Sequence, residues 1–215
     1  MTEQEKIREQ YFAWDPHEDP EFAQMIFGSG TIGGKGRSLL FALRKLRDSG
    51  DPQLCNSKVP ESIYFSIDIF HQFLESVPSL DLLISQNDPE RLEEVFLKTP
   101  LPKIVTEAVR NFLAEMHDPV VIRSSSRLED SAKHSFAGKY LTTFMSNDSP
   151  SLEERVGIVE REIRKIYARI YFPEAVSYRN KHGLGSDDMG IIVIRMSGRW
   201  HGRYYYPTIA GVGYS

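Results

Sequence analysis

The 215 residues suffice for one large domain or two small ones, and 40% apolar with 26% charged residues is an ordinary soluble globular composition. A net charge of −4, with no basic tract interleaved with aromatics, argues against nucleic acid or an acidic membrane as partner. Cys55 is the single cysteine, so no internal disulfide can form; the polar start Met1–Lys6 is no secretion signal, no run is apolar enough to span a bilayer, and the expected setting is cytoplasmic.

Residues 1–27 read as a polar, irregular arm containing Pro16 and Pro20, with Tyr11, Phe12 and Trp14 placed to dock on a partner surface. Gly28 to Gly36 read as a glycine-rich loop. The helix after it shows Leu39, Leu40, Leu43 and Leu46 at helical spacing, with Gly50 at its end. Pro60 to Ile67 alternates Ile63, Phe65 and Ile67, a strand pattern. Phe70, Phe73 and Leu74 then mark a helix, and Asp88-Pro89 starts another. Pro102 to His117 is amphipathic. Pro119 to Ile122 is a short buried strand that should deliver Arg123 to a loop. Phe136 to Met145 looks extended. Ser151 caps a helix expected to run to about His182, broken or kinked at Pro173. Ile191 to Met196 is an apolar strand, and Gly202 to Tyr206 and Ile209 to Tyr214 read as two more.

Three segments carry chemistry. Gly33-Gly34-Lys35-Gly36 combines permissive backbone with a cation at a helix start, the makings of an anion nest. A plain tight turn with a solvated Lys35 is the competing reading. The Walker pattern fails at Ser29 and Gly36. Gly28, Gly30 and Gly33 match G-x-G-x-x-G but lack a convincing preceding strand. The second segment, Arg123-Ser124-Ser125-Ser126, offers a guanidinium that holds two phosphate oxygens, beside hydroxyl and amide donors. Glu129 and Asp130 could orient the cations or hold a solvated metal, or they simply form ion pairs with Arg127 and Arg123. The third, Ser135-Phe136-Ala137-Gly138-Lys139-Tyr140, has the small residues of a flap that closes over phosphates, or of a mobile hinge. The histidines show no metal spacing.

In this order, with Val59-Pro60 and Ile209-Ala210-Gly211-Val212, the set resembles the N-terminal ATP-binding part of the phosphoenolpyruvate synthase and pyruvate, phosphate dikinase family, which rifampin phosphotransferases and glucan, water dikinases share. The resemblance implies an α+β, ATP-grasp-like fold, here incomplete. It implies ATP and Mg2+ as cofactors and a phosphotransferase activity. The phosphoryl group of ATP passes through a phosphohistidine to pyruvate or a related acceptor. It also implies that Lys35, Arg123, Ser124 and Asp130 serve the ATP phosphates together with the Gly33, Gly34 and Gly36 backbone. Gly138 and Thr142 belong to the lid, and Met196 and Ser197 lie beside adenine. Ile194 and Lys139 depart from the family, which often has Gln at both places. The family's acidic metal ligands, phosphohistidine domain and acceptor-binding barrel lie beyond Ser215. The chain is therefore expected to be an N-terminal fragment, inactive alone, whose partners are those missing domains. The expected division is an arm (1–27), an α+β subdomain (28–120), a lid-like subdomain (121–190) and the start of a truncated core (191–215). A non-catalytic nucleotide-binding regulatory module and an interaction domain remain as alternatives.

Overall fold

The computed structural model describes residues 1–128 and 140–211. Its centre is a five-stranded mixed sheet built from β1 (Ile26–Phe27), β2 (Ser62–Phe65), β3 (Val120–Ser126), β4 (Thr142–Met145) and β5 (Met189–Arg195), in the order β1-β2-β5-β3-β4. Only β1 and β2 run parallel; the other pairs are antiparallel. Ser62 pairs with Ile194, and Arg123 lies between Ile192 and Thr142. This mixed α+β architecture is the fold class expected from the sequence. The expected boundaries at 120/121 and 190/191 fall inside β3 and β5.

Side chains alternate across a strand, and that alternation sorts the core into two layers. Ile63, Phe65, Val120, Ile122, Ile191 and Val193 face a large apolar cluster. That cluster is completed by α4 (Ile67–Glu75), α6 (Pro89–Lys98), α7 (Lys103–Leu113) and α8 (Leu152–Arg169). Phe73, Phe96 and Tyr167 are fully buried there, and truncating such an aromatic costs about 3–5 kcal/mol. Tyr64 and Ile192 face the other way, onto Ile32, Leu40 and Phe41 of the segment around α3 (Gly33–Arg47).

The arm departs from expectation. It is helical, not irregular: α1 (Glu3–Ala13) starts at a Thr2–Glu5 capping box, and α2 (Pro20–Ala23) is capped by Asp19. Trp14 and Phe22 are buried against Phe41 on the chain's own α3. The Arg37 guanidinium donates to the carbonyls of Tyr11, Phe12 and Trp14, closing the C-terminal end of α1 onto α3.

Four further differences have local causes. The helix α3 begins at Gly33, inside the expected glycine loop. Arg123 and the three serines after it continue β3, because pairing with β5 along its whole length outweighs the poor strand propensity of serine. The expected long helix is two, α8 and α9 (Pro173–Lys181), since Pro173 occupies the first turn of the second. Beyond β5, Arg199–His201 (β6) and Tyr204–Tyr206 (β7) form a hairpin turning at Gly202, and Ile209 to Gly211 is not strand. A short α5 (Leu80–Gln86) is also present. Among the described residues, no helix is long and apolar enough to cross a membrane.

Candidate functional site

The start of α3 lies against the end of β3. Gly33 has a φ of 72°, and a Cβ there would overlap the Ser125 carbonyl. The Gly36 amide, in the first turn of α3, donates to Ser125 Oγ at 3.0 Å. These glycines let a helix meet a strand backbone to backbone. The close approach carries Lys35, whose Nζ donates to Ser124 Oγ at 3.4 Å. Lysine and serine are 89 positions apart in the chain.

Next to Ser124, Arg123 stands half-buried on β3. Its Nε is buried without a hydrogen-bond partner, and among the described residues its guanidinium has no ion pair. Taking a charge out of water uncompensated costs several kcal/mol, so such a group calls for an anion. Thr142, its cross-strand partner on β4, is exposed on the same face. Lys35 and Ser124 are thus in contact, and Arg123 and Thr142 form the neighbouring cross-strand row, their side chains on the other face of the sheet from Ser124.

The earlier glycines do different work. The amides of Ser29 and Gly30 donate to the Asp68 carboxylate at 3.1 and 2.9 Å, and the Ser66 hydroxyl donates to it as well. Burial opposes ionisation of Asp68, but these hydrogen bonds, Ser66's foremost, outweigh it and hold the carboxyl below its ordinary range. An internal carboxylate therefore fills this nest.

A buried knot at the same end of the sheet has no counterpart in the sequence reading. Asp187, 3% exposed, accepts from Ser126 Oγ and Tyr140 Oη, each at 2.5 Å, and from the Leu128 amide at 3.3 Å. Arg179 donates to Tyr140 Oη at 3.3 Å. Burial, then the neighbouring Asp187 charge, pushes the Tyr140 phenol far above its usual range. Asp188 accepts from Arg127 at 3.0 Å and pairs with His71 at 2.9 Å. The only sequence signal was an Asp-Asp doublet just before an apolar strand.

Met196 and Ser197 lie at the opposite end of β5. Five residues separate Met196 from Ile191, the partner of Ser124, or about 16 Å of strand. The Met196 amide donates to the Pro119 carbonyl at 2.8 Å, and its own carbonyl accepts from Tyr205 Oη at 3.1 Å. Ser197 is exposed. Asp130 and Gly138, with Glu129 and the Ser135–Lys139 segment, lie outside the described residues. Among the described residues, no group of three His, Cys, Asp or Glu side chains is placed to hold a metal ion.

Comparison with known proteins identifies the family. A stretch of 159 residues, 73% of the chain, is 26% identical to prodigiosin synthesizing transferase PigC of Serratia marcescens, and the chain spans 16% of that protein's length. Residues 29–215 match the family described as pyruvate phosphate dikinase, AMP/ATP-binding domain. The helix start carrying Lys35 and the strand carrying Arg123 thus fall within a matched ATP-binding region, and the chain belongs to the pyruvate phosphate dikinase AMP/ATP-binding domain family.

Proposed function

We propose that this chain holds the phosphates of ATP between Lys35 and Arg123, as the nucleotide-binding part of a larger, cytoplasmic phosphotransferase. Arg123 presents a planar fork suited to two phosphate oxygens, and Lys35 adds a point charge. Ser124 and Thr142 supply hydroxyls beside them, the Gly33-Gly34-Lys35-Gly36 helix start adds its dipole, and Asp130 and Gly138 complete the phosphate end. Met196 and Ser197 mark the base end, with the nucleotide laid along the sheet between the two. The described donors do not form a metal cage, so Mg2+ is expected to arrive on the phosphates, where it usually keeps several waters. In the whole protein, a phosphoryl group passes from ATP to a histidine of another domain and on to pyruvate or a related acceptor. These residues contribute by positioning and by neutralising charge on the phosphates.

The observation that carries this reading is Arg123: a half-buried cation with no carboxylate partner among the described residues and a buried, unpaired Nε, one residue from the serine that receives Lys35. Calorimetric titration of ATP with Mg2+ into the chain tests it. The expected result is saturable binding that weakens in both Lys35→Ala and Arg123→Ala. Binding that ignores both substitutions would end the assignment.

A further inference from the structure

We infer that Asp68 is a positioning residue for the phosphate-binding helix start: its carboxylate fills the nest formed by the Ser29 and Gly30 amides and so fixes where the chain enters α3 and where Lys35 stands. This rests on the proposal that Lys35 and Arg123 hold the phosphates.

The helix α3 has no side-chain cap of its own, because Ile32 stands where an oxygen-bearing side chain is usual. Its start is therefore set by the segment that leads into it, and that segment is held from the start of α4. The Ser66 amide donates to the Phe27 carbonyl at 3.0 Å, and the Ile67 amide to the Thr31 carbonyl at 2.9 Å. Between these two points the Asp68 carboxylate takes the amides of Ser29 and Gly30, while the Gly30 carbonyl accepts from His17 Nε2 at 2.9 Å. Gly30 is thus pinned through both of its backbone groups.

The fit is close. A Cβ at Gly28 would come within 2.7 Å of the Asp68 carboxylate, and one at Gly30 within 3.0 Å. Downstream, the Ile32 carbonyl lies so near Gly190 that a Cβ there would meet it at 2.7 Å. Lys35 follows in the first turn of the helix. Successive amides turned toward one point attract an anion. Here the anion belongs to the chain, so this nest shapes the loop and is not offered to phosphate. A binding group held out of place loses affinity even when it is itself intact.

The test measures ATP and inorganic tripolyphosphate affinities on the full chain, in the wild type, Asp68→Ala, Asp68→Asn and Asp88→Ala, with and without added formate. Asp68→Ala should weaken both ligands about tenfold, the scale on which residues that orient a binding group act. Formate, a small carboxylate able to refill the nest, should restore part of that loss in Asp68→Ala and change nothing in the wild type. Asp68→Asn keeps the shape and one acceptor oxygen, so it should fall between the two, and it carries the test alone where the alanine variant does not fold. Asp88→Ala removes the cap of α6 and reports what lost stability alone does; both affinities should be unchanged in it. Wild-type affinities in the Asp68 variants overturn the inference. So does a loss that Asp88→Ala reproduces, or one in Asp68→Ala that formate leaves in place. ATP binding that ignores both Lys35→Ala and Arg123→Ala would instead remove the phosphate assignment underneath it.

Discussion

Arg123 and Arg195 sit on neighbouring antiparallel strands, one in the middle of β3 and the other at the end of β5, and they meet opposite surroundings. Arg195 donates to Glu61 at 2.5 Å and to Asp118 at 3.1 Å. The Glu61 hydrogen bond is the chief reason its guanidinium is held above the usual value, and Asp118 adds to it. Arg123 has no such carboxylate among the described residues, and its Nε is sealed from water. The first arginine closes a seam between β5 and the segments that precede β2 and β3. The second has no such tie among the described residues. Charge alone does not separate a ligand contact from a structural tie; the neighbours do.

The largest test of that contrast is Arg123→Ala. It should reduce ATP affinity by about 10- to 100-fold, the range for a lost charge-assisted or bidentate contact, without lowering the melting temperature. Arg123→Lys should recover only part, because the fork is gone. Lys35→Ala should cost about tenfold in the same titration, since one point contact is removed. Tyr167→Phe separates an orphan group at a site from one in a core. The Tyr167 hydroxyl is buried without a hydrogen-bond partner among the described residues, so its removal should stabilise the fold by about 1 kcal/mol in urea and leave ATP binding alone. Arg195→Ala should leave ATP affinity intact and lower stability by about 0.5–1 kcal/mol, as expected for partly exposed ion pairs. An Arg195 variant that loses ATP, beside an Arg123 variant that keeps it, would invert the comparison.

The smallest effect concerns pH. Asp68 has a folded pKa below its ordinary 3.8, so folding favours its ionised form. Its contribution is complete above that value and is lost as pH falls through the lower folded one. Asp68→Asn should flatten the acid limb of the stability curve, read as urea midpoints between neutral pH and about pH 3.

Much of the fold was legible where local rules and tertiary packing agree. Asp88 caps α6 with Pro89 in its first turn, Ile63 and Phe65 alternate onto one core, and Pro173 restarts a helix. The misreadings arise where distant contacts decide. The arm hid its helix because α1 buries no residue of its own and depends on the Thr2 cap and on Arg37 from α3. Ser124 to Ser126 look like loop until β5, more than 60 positions away, pairs with them. At the candidate site, motif order and the family resemblance named Lys35, Arg123, Ser124 and Thr142 as expectations. The contact of Lys35 with Ser124, and the carboxylates on Arg195 that Arg123 lacks among the described residues, depend on chain segments far apart. Asp187 was invisible for the same reason: its acceptors' partners, Ser126 and Tyr140, lie 61 and 47 positions away.

The Asp187 knot has a mechanical consequence. One carboxylate fastens Leu128 through its amide and Tyr140 through its phenol. A single substitution, Asp187→Asn, should therefore loosen the end of β3 and the approach to β4 together, because one carboxylate holds both.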